Sequence, residues 1–190
     1  MHVILLKTLD ILEAIMSEAI WVQALKTVPQ IDKTCWDTLN IFTKWLIASR
    51  FSVTIMTFSS AIIGILLALS TGTVDLGISV ICVLGLILAH ATNNLLNDYT
   101  DSIKGVDKGN YFRTQYGTHV LEGGLLTKKQ LMNYIIFTGL LAIACGGVII
   151  YLRGIEVLWL MLAGSFFVLF YTWPLKKLAL GELSVLLVWG

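Results

Sequence analysis

From His90 to Asp107 the chain reads His-Ala-Thr-Asn-Asn-Leu-Leu-Asn-Asp-Tyr-Thr-Asp-Ser-Ile-Lys-Gly-Val-Asp. Set on a helix, His90, Asn94, Asn97, Asp98 and Asp101 recur every three or four residues and share one stripe. Asp98 and Asp101 then present two carboxylates on neighbouring turns. Hard oxygen ligands of this kind suit magnesium, which takes one or two carboxylates together with water and substrate phosphate oxygens. Asn94 and Asn97 add neutral oxygens or donate to phosphate. Gly105 marks the expected helix end, so Asp107 can fold back towards the same ion. The ligand that fits this set is a diphosphate, stabilised as a leaving group by the metal. A solvated acidic group at a helix end is the plainer reading of one aspartate. It does not account for a stripe of two Asn and two Asp with a third Asp beyond a glycine. His90 alone reads as a satisfied core histidine.

The element that carries the stripe is a membrane span. Hydrophobic residues make up 57% of the chain and charged residues 13%, with a mean hydropathy of +0.83. A soluble domain carries about 25% charged residues, so this composition points to a bilayer. Spans need about 20 apolar residues, and runs of that kind lie near 51–74, 76–97, 130–152 and 157–175, with a fifth starting near 183. Asp75 alone separates the first pair, and Arg153 and Glu156 the second, which predicts tight helical hairpins. Polar stripes in spans face a bundle interior or a water-filled cavity. Lysines and arginines cluster before the first span, between the second and third, and at Lys176 and Lys177, whereas the opposite side holds only Arg153. The positive-inside rule then puts the N-terminus and the aspartate motif in the cytoplasm of a multi-pass protein of the cell or inner membrane.

Residues 1–47 mix charges with Ile11, Leu12, Ile15, Met16 and Ile20 and hold no run long enough to span. They read as amphipathic helices on the cytoplasmic face, divided at Pro29, or else as the product of an early start codon. Asp10 and Glu13 exclude a secretory signal. Residues 48–190 form the transmembrane domain. Cys35, Cys82 and Cys145 make no metal or disulfide pattern. A formal charge of +1 argues against nucleic acid as a partner.

The segment Asn97-Asp-Tyr-Thr-Asp-Ser-Ile-Lys-Gly-Val-Asp107 resembles the first aspartate-rich motif of the UbiA-type membrane prenyltransferases, NDxxDxxxD. Its NDxxDxxxGxD form is most similar to the MenA-type branch, which prenylates 1,4-dihydroxy-2-naphthoate. Lys44-Trp-Leu and Arg50, Tyr171-Thr-Trp-Pro-Leu and Leu180-Gly-Glu-Leu resemble further family segments, so the likeness runs from Trp45 to Gly190. The resemblance implies an all-α, UbiA-like helix bundle. It implies magnesium-dependent transfer of an isoprenyl group from a polyprenyl diphosphate to a small aromatic quinone precursor, within membrane lipid. By matching positions it assigns catalysis to Asp98 and Asp101, metal binding to Asp98, Asp101 and Asp107, and diphosphate binding to Asn94 and Asn97. Lys104 and Arg113 are candidates for phosphate oxygens and equally for ordinary inside-loop charges.

Three departures qualify the likeness. Phe51 stands where a proline is common, the loop from Lys108 to Thr127 lacks the Gly-Pro stretch of the MenA branch, and no aspartate follows Asp107. The expectation is the N-terminal part of such an enzyme, cut in its fifth span, as a fragment, a truncated product or one piece of a split protein whose C-terminal half is encoded separately. Two other classes fit parts of the pattern: an ion- or proton-coupled transporter fragment, and a non-catalytic membrane assembly protein. Transporters place polar groups near mid-membrane on broken helices, whereas these sit at the end of an unbroken apolar run.

Overall fold

A computed structural model describes residues 20–105, 117–175 and 177–189, and every regular element among them is helical. A helical stretch at 20–26 precedes two short helices, α1 (Lys33–Thr38) and α2 (Ile41–Ala48). Each starts where a short polar side chain satisfies a free backbone N–H. The Asp32 carboxylate accepts from Cys35 N–H, and the Asn40 side-chain oxygen from Thr43 N–H, both at 2.8 Å. A 3₁₀ turn (Phe51–Thr54) then leads into α3 (Ile55–Thr71).

Asp75 caps the next helix, α4 (Leu76–Lys104), by accepting from Ile78 N–H at 3.0 Å. Its 29 residues extend about 43 Å at 1.5 Å per residue, well beyond a hydrocarbon core of about 30 Å. The last turns, from Asn97 on, therefore project past the apolar stretch. The helix stops at Gly105, whose φ of 68° costs no side-chain clash. Thr127 and Gln130 form a reciprocal capping box that starts α5 (Lys128–Arg153). The pair α3–α4 and the pair of α5 with the helix that starts at Val157 are joined by the short turns 72–75 and 154–156, as the charge pattern predicts.

The fourth apolar run behaves differently from the other three. Its helix, α6 (Val157–Phe170), has 14 residues, about 21 Å. The segment Tyr171–Leu175 leaves helical geometry at Trp173, because the ring of Pro174 disfavours the α conformation in the residue before it. Among the described residues, three helices are long and apolar enough to cross a bilayer: Phe51–Thr71, Leu76–Lys104 and Lys128–Arg153. The segment predicted from Leu183 onward is α7 (Gly181–Trp189).

Helix α4 makes its broadest interface with α5. Small residues allow it: a Cβ on Gly85 would lie 3.0 Å from Cys145 Cβ, and close backbone approach of this kind is how membrane helices associate. Outward faces keep Leu66, Leu67, Phe137, Leu140, Trp159 and Leu160 exposed, as lipid contact requires.

The dense core lies at the motif end of the bundle. Ala24, Trp36, Leu46, Ile47, Leu95, Val120, Leu131 and Ile135 pack in one cluster with Leu125 and Leu126. Residues 20–48 and the turn at 117–127 thus clamp the end of α4 from both sides. Trp36 is 2% exposed, and truncating it to alanine is expected to cost about 3–5 kcal/mol. Thr43 is fully buried, and among the described residues its hydroxyl has no hydrogen-bond partner. Replacing an unsatisfied hydroxyl with a methyl removes its desolvation cost, so Thr43→Val is expected to gain up to about 1 kcal/mol. Thermal midpoints of the detergent-solubilised protein check both. A destabilised Thr43→Val variant would mean that the hydroxyl has a partner.

Candidate active site

Asp98 and Asp101 lie three residues apart on α4 and are 1% and 4% exposed. Burying two carboxylates is costly unless cations or hydrogen bonds compensate them. For Asp98 the cation is the Arg50 guanidinium, whose Nη2 pairs with Oδ1. Arg50 sits at the corner between α2 and the 3₁₀ turn, in the left-handed conformation at φ 50°, ψ 50°. A non-glycine residue there carries strain of order 1 kcal/mol. The preceding carbonyl, that of Ser49, accepts from Asn94 Nδ2 at 2.9 Å. Two residues four apart on α4 therefore grip two successive residues of one corner. Asn97 lies half-buried on the same part of α4.

One turn deeper, His90 Nδ1 is 2.7 Å from Thr57 Oγ1 on α3. Asn93 Nδ2 donates to the Val168 carbonyl on α6 at 3.1 Å. Both residues line a cavity of about 700 Å³ between α3, α4, α6 and α7. Its walls are largely apolar, including Ile65, Leu86, Phe167 and Val168, and Tyr171 lines it too. The histidine expected as a core residue is hydrogen-bonded and also faces this space. Tyr171, which opens one of the segments that resemble the family, faces it as well.

Beyond Asp101, the turn at 117–127 closes on the motif. Ser102 Oγ donates to Glu122 Oε1 at 2.9 Å, and Glu122 N–H donates to His119 Nδ1 at 3.3 Å. Lys104 turns to a different neighbour: its ammonium lies 3.4 Å from the centroid of the Trp173 ring, which Lys177 also approaches at 4.4 Å. The kinked segment after α6 is thereby tied to the end of α4. Asp107 and Arg113, assigned to metal and phosphate by the motif, lie outside the described residues.

The described residues contain no cluster of three or more metal-ligating side chains. Two carboxylates one turn apart do fit magnesium in its usual protein role, in which substrate phosphates and water complete the shell. They fit a substrate-bridged ion and not an all-protein cage.

Arg50 is the residue whose place at the site sequence reasoning missed; it reads there as an inside-positive charge before a span and as part of a segment resembling the family, with no role at the aspartates. The signal that finds it is the demand of a buried aspartate at a span end for a counter-ion. Among known proteins, the UbiA prenyltransferase family matches residues 57–190. No similar curated protein and no similar solved structure was found. A match over most of the chain, around an integral membrane bundle that buries two aspartates at the end of a helix lining an apolar cavity, establishes that the chain belongs to the UbiA prenyltransferase family.

Proposed function

We propose that this chain carries the diphosphate half of a magnesium-dependent polyprenyl diphosphate:aromatic prenyltransferase, with a quinone precursor of the dihydroxynaphthoate type as acceptor. The carrying observation is the pair Asp98 and Asp101, buried together at the end of a membrane helix that lines an apolar cavity. Asp98 and Asp101 hold the ion, Asn94 and Asn97 orient phosphate oxygens, and Lys104 adds positive charge at the mouth. Asp107 and Arg113 extend the same set. A magnesium ion held by Asp98 and Asp101 would supply the positive charge that a departing diphosphate needs. The allylic carbon–oxygen bond breaks with its electron pair on the diphosphate. An electron-rich ring carbon of the acceptor then bonds to the allylic cation and gives up its proton.

The cavity's role is to keep water from the cation, which water would otherwise capture. Its walls of Ile65, Leu86 and Phe167 suit a prenyl chain, and His90, Asn93 and Tyr171 offer polar contacts at the end nearest the motif. The lysine and arginine distribution supports a cytoplasmic motif. No aspartate follows Asp107, so within these 190 residues the acidic set of the site is Asp98, Asp101 and Asp107. The test is transfer of label from an isoprenyl diphosphate to aromatic acceptors in membranes holding the complete open reading frame. Magnesium-dependent label in a prenylated aromatic product supports the reading. A complete protein that transfers nothing to quinone-precursor phenols would sink it.

A further inference from the structure

A second cavity lies on the outer side of the bundle, between α1–α2 and α5. It has a volume of about 1090 Å³ and no part in the chemistry above. Its length is informative. The α5 residues along it run from Gln130 through Phe137 to Leu141, which at 1.5 Å per residue is about 16 Å. That is half of a hydrocarbon core of about 30 Å, the depth of one leaflet. Polarity follows the same axis. The mouth carries Lys33, Lys44, Gln130 and Asn133, and the deep end is Leu88, Phe137 and Leu141.

The walls are fixed. Trp45 Nε1 donates to Thr138 Oγ1 at 2.8 Å, tying α2 to α5 across the groove floor. Lys44 Nζ stands 5.9 Å above the Trp36 ring. Lys128 and Lys129, both exposed, open α5 beside the mouth. Lys33 is offset by Asp37 at 2.8 Å, which leaves the mouth net positive. Exposed Ile41 and Phe42 on α2 place this rim at bilayer depth, with aromatic and basic residues at the interface.

We propose that this groove binds an anionic glycerophospholipid of the motif-side leaflet, its phosphate at Lys44 and one acyl chain along α5. Basic pockets between helices at the membrane surface hold anionic headgroups. Lysines near the phosphate attract it, so reversing the charge of Lys44 is expected to weaken occupancy by about tenfold or more. The site is independent of the prenyl-transfer reading and stands if that reading fails.

The experiment uses the full chain in phosphatidylcholine vesicles with a trace of phosphatidylglycerol carrying a diazirine in its acyl chain. Irradiation is expected to concentrate crosslinks at Phe42, Phe137 and Leu141, about tenfold above those from diazirine-labelled phosphatidylcholine. Lys44→Glu and Lys44→Gln are expected to remove that excess, and Lys177→Glu, with the same charge change elsewhere, to keep it. Equal labelling by the two lipids, or an excess that survives both Lys44 variants, would overturn the proposal. So would an absence of groove crosslinks while lipid-facing Leu66 and Trp159 are labelled, because protein would then cover the groove.

Discussion

Replacing Asp101 with asparagine is expected to lower prenyl transfer by roughly 10²–10³-fold, the usual effect of removing one group that stabilises developing charge in a transition state. The change keeps shape and removes charge. Asp101 is 4% exposed, so asparagine fits the space that aspartate fills. Asp98→Asn is expected to lose at least as much activity, and also to leave the Arg50 guanidinium without its carboxylate. The double variant is expected to lose little more than the worse single one, because two ligands of one ion act as a unit. A titration with magnesium separates ligand loss from misfolding: Asp101→Asn is expected to need more metal for half-maximal rate while its thermal midpoint stays near wild type. Labelled donor and product extraction give the rate. Transfer by Asp98→Asn/Asp101→Asn equal to wild type would remove both residues from the chemistry.

How much of this could be read from the sequence depends on how local each determinant is. Helix α4 was legible in full: an uninterrupted apolar run, Asp75 as its cap, polar residues every three or four positions at one end, and Gly105 as its stop. The hairpin turns at 72–75 and 154–156 were legible for the same reason. The run at 157–175 was legible in composition but not in shape, because apolarity does not register the break before Pro174. Residues 33–47 read as part of an amphipathic helical segment after Pro29, without a tertiary partner. Their order comes from contacts distant in sequence, with Leu95, Val120 and Leu131, that no local pattern encodes. The same limit hid Arg50. Its partner is 48 residues away, and only the bundle brings that corner to α4. The cavity beside His90, Asn93 and Tyr171 is likewise a product of four helices meeting, although each residue lies in a segment already singled out.

Arg50 gives the second large effect, and two opposed terms decide its sign. Arg50→Ala leaves Asp98, 1% exposed, as a buried charge with its guanidinium partner removed. Breaking a buried pair from one side typically costs about 3–5 kcal/mol. Arg50 itself is about a quarter exposed in its side chain, which admits some water and places the expectation at the lower end of that range. Alanine also inherits the left-handed backbone of φ 50°, whereas glycine adopts it without a Cβ penalty. Arg50→Gly is therefore expected to be less damaging than Arg50→Ala by about 1 kcal/mol, the reverse of the order in an ordinary helix. Removing the charge at both ends is expected to restore part of the loss. Arg50→Ala/Asp98→Asn should be more stable than the sum of the single variants by about 2 kcal/mol, since the buried carboxylate that lost its guanidinium is gone. Thermal midpoints of the four solubilised variants supply the cycle, with no need for activity. Additive losses would mean that the pair contributes nothing as a pair, and glycine worse than alanine would mean that the corner's left-handed backbone carries no strain. If both expectations hold, the corner at Ser49 and Arg50 is a fixed clamp on Asn94 and Asp98. Asn94 and Asp98 are then held in place by protein before any diphosphate arrives, so this part of the site is preorganised for binding and not assembled by it.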